Sequence, residues 1–229
     1  RNISFGLNER ADIFARNIEC RAFYSSFDVF YRRTFLQRFD LALAGRHNIS
    51  NALSVIALGM ELGIDRALIQ KTLESFRGVK RRFQKKYNHN NILIIDDYAH
   101  HPTEIRTTLQ AAKGLSKKRL LTVFQPHRYS RTKYLLKQFS KSFFNTDHLF
   151  LTDIYPAGEK KLKGVNARQL YSLMKDKPVP QTKFFRKHAL VDAVTRFLKE
   201  GDAVFFLGAG DINKISDAVV KKLKGKRKA

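Results

Sequence analysis

The chain has 229 residues, 43% of them hydrophobic, and one cysteine, Cys20, which excludes an intramolecular disulfide and any cysteine-cluster metal site and fits a reducing cytoplasm. No apolar run approaches the length of about 20 residues needed to cross a bilayer, and no charged-then-apolar leader opens the sequence. Lys and Arg number 44 against 20 Asp and Glu, a formal +24 that favours anionic partners; the basic residues are scattered, with no stripe interleaved with aromatics, so solvated faces are the preferred reading over a nucleic-acid groove.

Residues 1–43 alternate apolar and polar in short runs such as "DIFARNIEC" and "FDVFYRR", which predict three or four short strands in hairpins. The pattern begins abruptly at Arg1, as it would in a piece of a longer protein. In "GRHNISNALSVIALGMELG" the residues Leu53, Ile56, Ala57 and Met60 recur at helical spacing between Gly45 and Gly63. A second helix is expected from about Asp65 to Phe76, ending near Gly78. The polar, aperiodic "VKRRFQKKYNHNN" (79–91) reads as a linker to a second domain, giving domains 1–78 and 79–229.

Beyond it the strand "NILII" precedes a helix from Pro102, a residue suited to a first helical position, with Ile105, Leu109 and Ala112 inward. "RLLTVF" is followed by a helix carrying Leu136, Phe139 and Phe143, then "HLFLT" by a helix near 166–175. "TKFF" leads to a helix at about 188–200, and "AVFFLG" to one with Ile212, Ile215, Val219 and Leu223, whose basic end "KKLKGKRKA" reads as solvated. Repeated strand–helix alternation predicts an α/β fold with a mostly parallel sheet covered on both faces.

Ligands of such sheets lie beyond the carboxyl ends of the strands. Polar or glycine clusters fall there after four strands: "DDYAHHPTE" (96–104), "QPHRYSRT" (125–132), "DIYPAGE" (153–159) and "GAGD" (208–211). Together they describe a pocket rich in His and Arg, suited to carboxylates and phosphates. Each cluster has a plainer explanation. One of Asp96 and Asp97 is expected to cap the helix at Pro102, leaving the other for chemistry. His100 and His101 lack the further ligands a zinc site needs. Arg128 and Arg131, three apart before a helix, are placed to close on one anion. Asn48 and Asn51 share a first-turn face, and N-capping explains one of them. "GAG" falls short of a dinucleotide fingerprint, and no GxxxxGK[ST] loop occurs.

"GRHNISNAL", "FRGVKRRFQ", "DDYAHHPTEI", "FQPHRYSRT" and "DIYPAGE", in that order from about 45 to 215, resemble the C-terminal part of the Mur ligases. Within the family the resemblance is nearest to the branch that uses L-alanine. It implies a Rossmann-like C-terminal domain preceded by the last strands and two helices of a central ATP-binding domain. It also implies a cytoplasmic activity in peptidoglycan precursor synthesis: ATP phosphorylates the carboxylate of UDP-N-acetylmuramate, and L-alanine displaces phosphate to form an amide. By the same resemblance His47, Asn48 and Asn51 lie at the adenine, Arg82 at the nucleotide phosphates, and Asp97 at the ATP ribose or the loop over it. Tyr98, His100, His101 and His127 form the amino-acid pocket, with Arg128 and Arg131 for the alanine carboxylate and Asp97 and His101 as catalytic groups. The phosphate loop and the Mg2+ ligands of the family are expected upstream of Arg1, so this chain alone should be inactive. A ligase that recycles a tripeptide onto the same nucleotide, and a non-catalytic anion-binding domain, are the alternatives.

Overall fold

The computed structural model describes residues 2–21, 23–115, 118–177 and 180–225, and the chain divides into units Arg1–Gly78 and Val79–Ala229. The first unit holds strands β1 (Phe5–Gly6), β2 (Ile13–Arg21), β3 (Tyr24–Tyr31) and β4 (Thr34–Leu41) in sequential order. β2, β3 and β4 pair as antiparallel hairpins, whereas β1 pairs with β2 in parallel, a departure from the all-hairpin expectation. Period-2 alternation puts Ile13, Ala15, Phe27, Val29, Phe39 and Leu41 on one face. Ile49, Leu53 and Ile56 of α1 (Arg46–Glu61) and Ile69 and Leu73 of α2 (Arg66–Ser75) close over that face.

Asp65 caps α2, its Oδ1 accepting from the amides of Ala67 at 2.8 Å and Leu68 at 3.2 Å. Neither Asn48 nor Asn51 caps α1. That position belongs to Gly45 at φ 98°, where a side chain would be strained and a Cβ would meet the His47 ring at 2.9 Å. Asn48 turns its Nδ2 back onto the Ala44 carbonyl at 2.7 Å.

The second unit has six strands: β5 (Gln84–His89), β6 (Ile92–Asp97), β7 (Arg119–Phe124), β8 (His148–Leu151), β9 (Gln181–Phe184) and β10 (Asp202–Leu207). Their order in the sheet is β5-β6-β10-β7-β8-β9, parallel except for the edge strand β5. β5 occupies the segment expected to be a linker. An antiparallel edge strand needs little apolar side chain, and Tyr87 is the residue of β5 that is buried.

The connecting helices are α3 (Pro102–Lys113), α4 (Tyr129–Tyr134), α5 (Leu136–Phe139), α6 (Ala167–Ser172), α7 (Leu190–Phe197) and α8 (Ile212–Gly225). Of the helix expected to carry Leu136, Phe139 and Phe143, α5 holds the first two, α4 precedes it as a separate helix, and Phe143 lies beyond both. The last four residues of the basic tail lie outside the described residues.

Every residue of β10 is buried, as a central strand of a sheet covered on both faces requires. Val204 and Phe206 pack with Leu190 and Val194 of α7 and Ile212, Ile215 and Val219 of α8. On the opposite face Phe205 meets Phe83 at 5.3 Å between ring centroids, and Phe124 meets Phe139 at 5.5 Å and Phe143 at 5.1 Å. At the amino edge Arg119 forks onto buried Asp202, Nε to Oδ1 at 2.8 Å and Nη2 to Oδ2 at 2.6 Å, tying β7 to β10. The opposite edge is left for chemistry.

Candidate functional site

Because β10 enters between β6 and β7, the chain path reverses there, which is where open parallel sheets form their ligand crevice. The ladder runs on past the strand ends. The Gln125 amide donates to the Leu207 carbonyl at 3.0 Å, and the Gly208 amide to the Asp97 carbonyl at 3.2 Å. Further out His127 and Tyr155 form an isolated parallel bridge, with the Arg128 amide on the Tyr155 carbonyl and the Tyr155 amide on that of Pro126, both at 2.8 Å. This bridge holds Arg128, the residue before α4, at φ 70°, a strained value for a long side chain and one found more often at functional sites. The expected "before a helix" placement is therefore refined: Arg128 is the N-cap residue, and Arg131 lies within α4.

From these tips a row of rings emerges. Tyr98 meets His100 edge-on at 5.3 Å, His100 lies 5.6 Å from His127, and His127 stacks on Tyr155 at 5.7 Å and 15°. Arginines bracket the row: Arg81 sits 4.9 Å and Arg82 5.6 Å from the Tyr98 centroid, and Arg131 Nη1 donates to His127 Nδ1 at 3.2 Å. Burial, then the charges of Arg131, His100 and Arg128, push the His127 imidazole down to about 4, so it is neutral at physiological pH. A cavity of ≈ 340 Å³ opens at the tips of β8 and β9, with Tyr129, Asp153, Arg168, Phe184 and Arg186 in its wall.

The cap of α3 is neither Asp96 nor Asp97. His101 takes that place, its Nδ1 accepting from the Thr103 amide at 3.3 Å, while Glu104 accepts from the amides of His100 at 2.9 Å and His101 at 3.1 Å. The two aspartates are released for other duties. Asp97 Oδ2 accepts from the Phe83 amide at 2.6 Å and its Oδ1 from the Ala99 amide at 2.8 Å, with the Thr108 hydroxyl at 3.4 Å. Burial still raises its carboxyl above the usual value against these hydrogen bonds.

Asp96, fully buried on the other face of β6, has no hydrogen bond to either oxygen among the described residues. Its nearest cation is Arg81, Nε at 3.8 Å, and burial pushes its carboxyl up to about 6. The folded chain therefore holds this proton more tightly than the unfolded chain, and the contribution is lost as pH rises from 3.8 through about 6. Asp96→Asn should accordingly gain stability relative to the native chain across that window. Urea midpoints at pH 4 and pH 7 check this, and a gap independent of pH would refute it.

Gly210, from "GAGD", is buried against the back of the ring row. A Cβ there would lie 2.5 Å from Tyr155 Cγ and 2.5 Å from Gln125 Oε1. The glycine is thus demanded by close packing. Gly210→Ala should cost about 1–3 kcal/mol through overpacking, read as a lower denaturant midpoint at unchanged slope.

Of the residues expected at the site, Asp97, Tyr98, His100, His101, His127, Arg128 and Arg131 lie on this carboxyl edge, and Tyr98, His100, His127 and Arg131 are in a chain of contacts. Arg82 reaches the same Tyr98 from the 79–83 loop. His47, Asn48 and Asn51 belong to the first unit, with His47 and Asn51 exposed on α1. Sequence reasoning left out Tyr155, Glu104 and Arg81. Glu104 had a signal, a capping spacing of three after His101; Arg81 was hidden in the presumed linker, where its Nη2 now donates to the Gly208 carbonyl. Among the described residues no group of three His, Cys, Asp or Glu is placed to hold a metal, and no helix is long and apolar enough to cross a membrane.

Fold and rim together define a doubly wound α/β domain with its polar site at the strand tips, preceded by a sheet-and-helix unit. The profile of the Mur ligase middle domain matches residues 1–59, and that of the Mur ligase, glutamate ligase domain, matches residues 81–210. The chain belongs to the Mur ligase family. It is 44% identical over 223 residues to the UDP-N-acetylmuramate–L-alanine ligase of Geotalea uraniireducens, covering 97% of this chain and 49% of that protein. The crystal structure of UDP-N-acetylmuramate-alanine ligase from Thermotoga maritima superposes with a TM-score of 0.78 at 29% identity, covering 98% of this chain and 48% of that one. A murein peptide ligase from Psychrobacter arcticus shares the fold, with a TM-score of 0.64 at 22% identity over 96% of this chain and 46% of that one. The chain spans about half the length of the curated relatives it matches.

Proposed function

We propose that this chain comprises part of the central domain and the amino-acid-binding domain of a cytoplasmic, ATP-dependent ligase that joins L-alanine to UDP-N-acetylmuramate in peptidoglycan precursor synthesis. The observation that carries the reading is the His100–His127–Tyr155 ring row with Arg131 at its side, which sets the neutral His127 imidazole beside a cation. The 44% identity to a named alanine ligase supports the choice of acceptor over a tripeptide.

A carboxylate is a poor electrophile, so the muramyl carboxylate first takes the γ-phosphoryl group of ATP. The alanine amine then attacks the acyl phosphate, and phosphate leaves. This chain's share is positioning and charge neutralisation. Arg131, with exposed Arg128, would pair with the alanine carboxylate, and Tyr98, His100 and His127 would enclose its short side chain. Exposed Arg82 would reach the nucleotide phosphates, and Asn48 and Asn51, next to His47, would meet the adenine. Asp97, whose oxygens are engaged by the loop amides, suits a role in holding the loop near the nucleotide. His101 would meet the substrate through Nε2, since its Nδ1 caps α3. Gripping the β- and γ-phosphates and Mg2+ is assigned to residues outside this chain.

The test is phosphate release by the full-length protein with UDP-N-acetylmuramate, ATP and Mg2+, comparing L-alanine with the tripeptide L-alanyl-γ-D-glutamyl-diaminopimelate. Alanine should be the better acceptor. Preference for the tripeptide would move the assignment to the recycling ligase, and steeply salt-dependent nucleic-acid binding without ligation would favour the anion-binding alternative.

A further inference from the structure

Forming an amide from an amino acid at neutral pH requires removal of a proton from its ammonium group, and the rim holds three histidines that differ in what they have left to accept it. The tautomer of each follows from its partner. Arg131 can only donate, so His127 Nδ1 accepts and its lone pair is occupied. The Thr103 amide likewise occupies Nδ1 of His101. His100 is reversed. Its Nδ1 lies 2.9 Å from the Tyr98 carbonyl and 3.4 Å from Glu104 Oε2, both acceptors, so Nδ1 carries the hydrogen and Nε2 carries a lone pair.

We propose that His100, oriented by Glu104 and the Tyr98 carbonyl, is the base that takes a proton from the ammonium group of the incoming amino acid, an assignment that rests on the ligase reading above. The proton moves from the amino nitrogen to His100 Nε2. The freed nitrogen pair attacks the carbonyl carbon of the acyl phosphate, forming the C–N bond. The C–O bond to phosphate breaks, and the second nitrogen proton leaves with the phosphate. The imidazolium so formed has Glu104 beside it. Burial raises that carboxyl, but the amide hydrogen bonds from His100 and His101 outweigh burial and hold it below its usual value, so it is ionised. The other groups near His100 are Tyr98, with Arg81 and Arg82 on that ring, and His127, with Arg131 and Arg128 beyond.

The experiment uses the full-length protein and two nucleophiles: L-alanine, which arrives protonated, and hydroxylamine, which is already largely unprotonated at neutral pH and traps the acyl phosphate as a hydroxamate. In His100→Gln the hydroxamate-to-alanine product ratio should rise by about 10²-fold or more, the usual worth of a general base, and the alanine rate should lose the inflection of an enzyme base and climb with pH in proportion to the free amine. Glu104→Gln keeps an oxygen for the two amides and removes the charge. Its acid limb should move to lower pH, a readout that stands if His100→Gln fails to fold. An unchanged ratio, or an acid-limb inflection that stays in place in both His100→Gln and Glu104→Gln, overturns the assignment. Wild-type protein that makes neither hydroxamate nor ADP overturns the ligase reading itself, and the base falls with it.

Discussion

Asp97→Ala should be the most damaging single truncation at the strand tips. The carboxylate is buried and accepts from the Phe83 amide at 2.6 Å and the Ala99 amide at 2.8 Å, so it closes the turn after β6 and clips the 79–83 loop to it. Removing the acceptor of a buried amide costs about 1–3 kcal/mol each, so a loss of about 2–6 kcal/mol is expected, a large share of a stability of about 5–15 kcal/mol. Chemical denaturation of the chain measures it. Asp97→Asn tests the cause: it keeps one acceptor and turns a donor toward the other amide, so it should recover only part of the loss. If Asp97→Ala cost under about 1 kcal/mol while the KM for ATP rose in the full-length protein, Asp97 would be a nucleotide contact and not a loop tie.

Arg131→Ala should chiefly raise the KM for L-alanine in the full-length protein. Losing one partner of a desolvated, hydrogen-bonded charge pair costs about 2–5 kcal/mol. Taking the lower part of that range, about 2–3 kcal/mol corresponds to roughly 30- to 150-fold. A rise in KM with kcat little changed would mark binding felt equally by ground and transition states. Arg131→Lys retains the charge but not the planar fork and should recover only part of the affinity. Arg131→Ala also removes the strongest charge holding His127 near 4, so its imidazole should titrate closer to the ordinary 6.5, visible in its ring proton shifts. An unchanged alanine KM would remove Arg131 from the pocket.

Much of the architecture was legible because it is written in periodicity. The alternation of "NILII", "RLLTVF", "HLFLT" and "AVFFLG" with helical stripes identifies a parallel sheet, and the polar clusters immediately after those strands locate its working edge. The errors fell where the local pattern was weak or two residues competed for one duty. β5 escaped because an edge strand with one buried side chain carries little hydrophobic signal. The helix expected through Phe143 stops at Phe139 although its apolar spacing is helical. One of Asp96 and Asp97 was expected to cap α3, but a histidine caps it.

By itself the sequence determined the five strands of the parallel sheet that alternate with helices, and that His, Arg and Asp gather at their carboxyl ends, because spacing along the chain dictates the face and the end on which a side chain emerges. Only the tertiary structure decided that β10 enters between β6 and β7, that His100, His127 and Tyr155 stack into one row, and which nitrogen of each histidine is committed. Those outcomes depend on contacts between residues far apart in the chain, for which local periodicity carries no information.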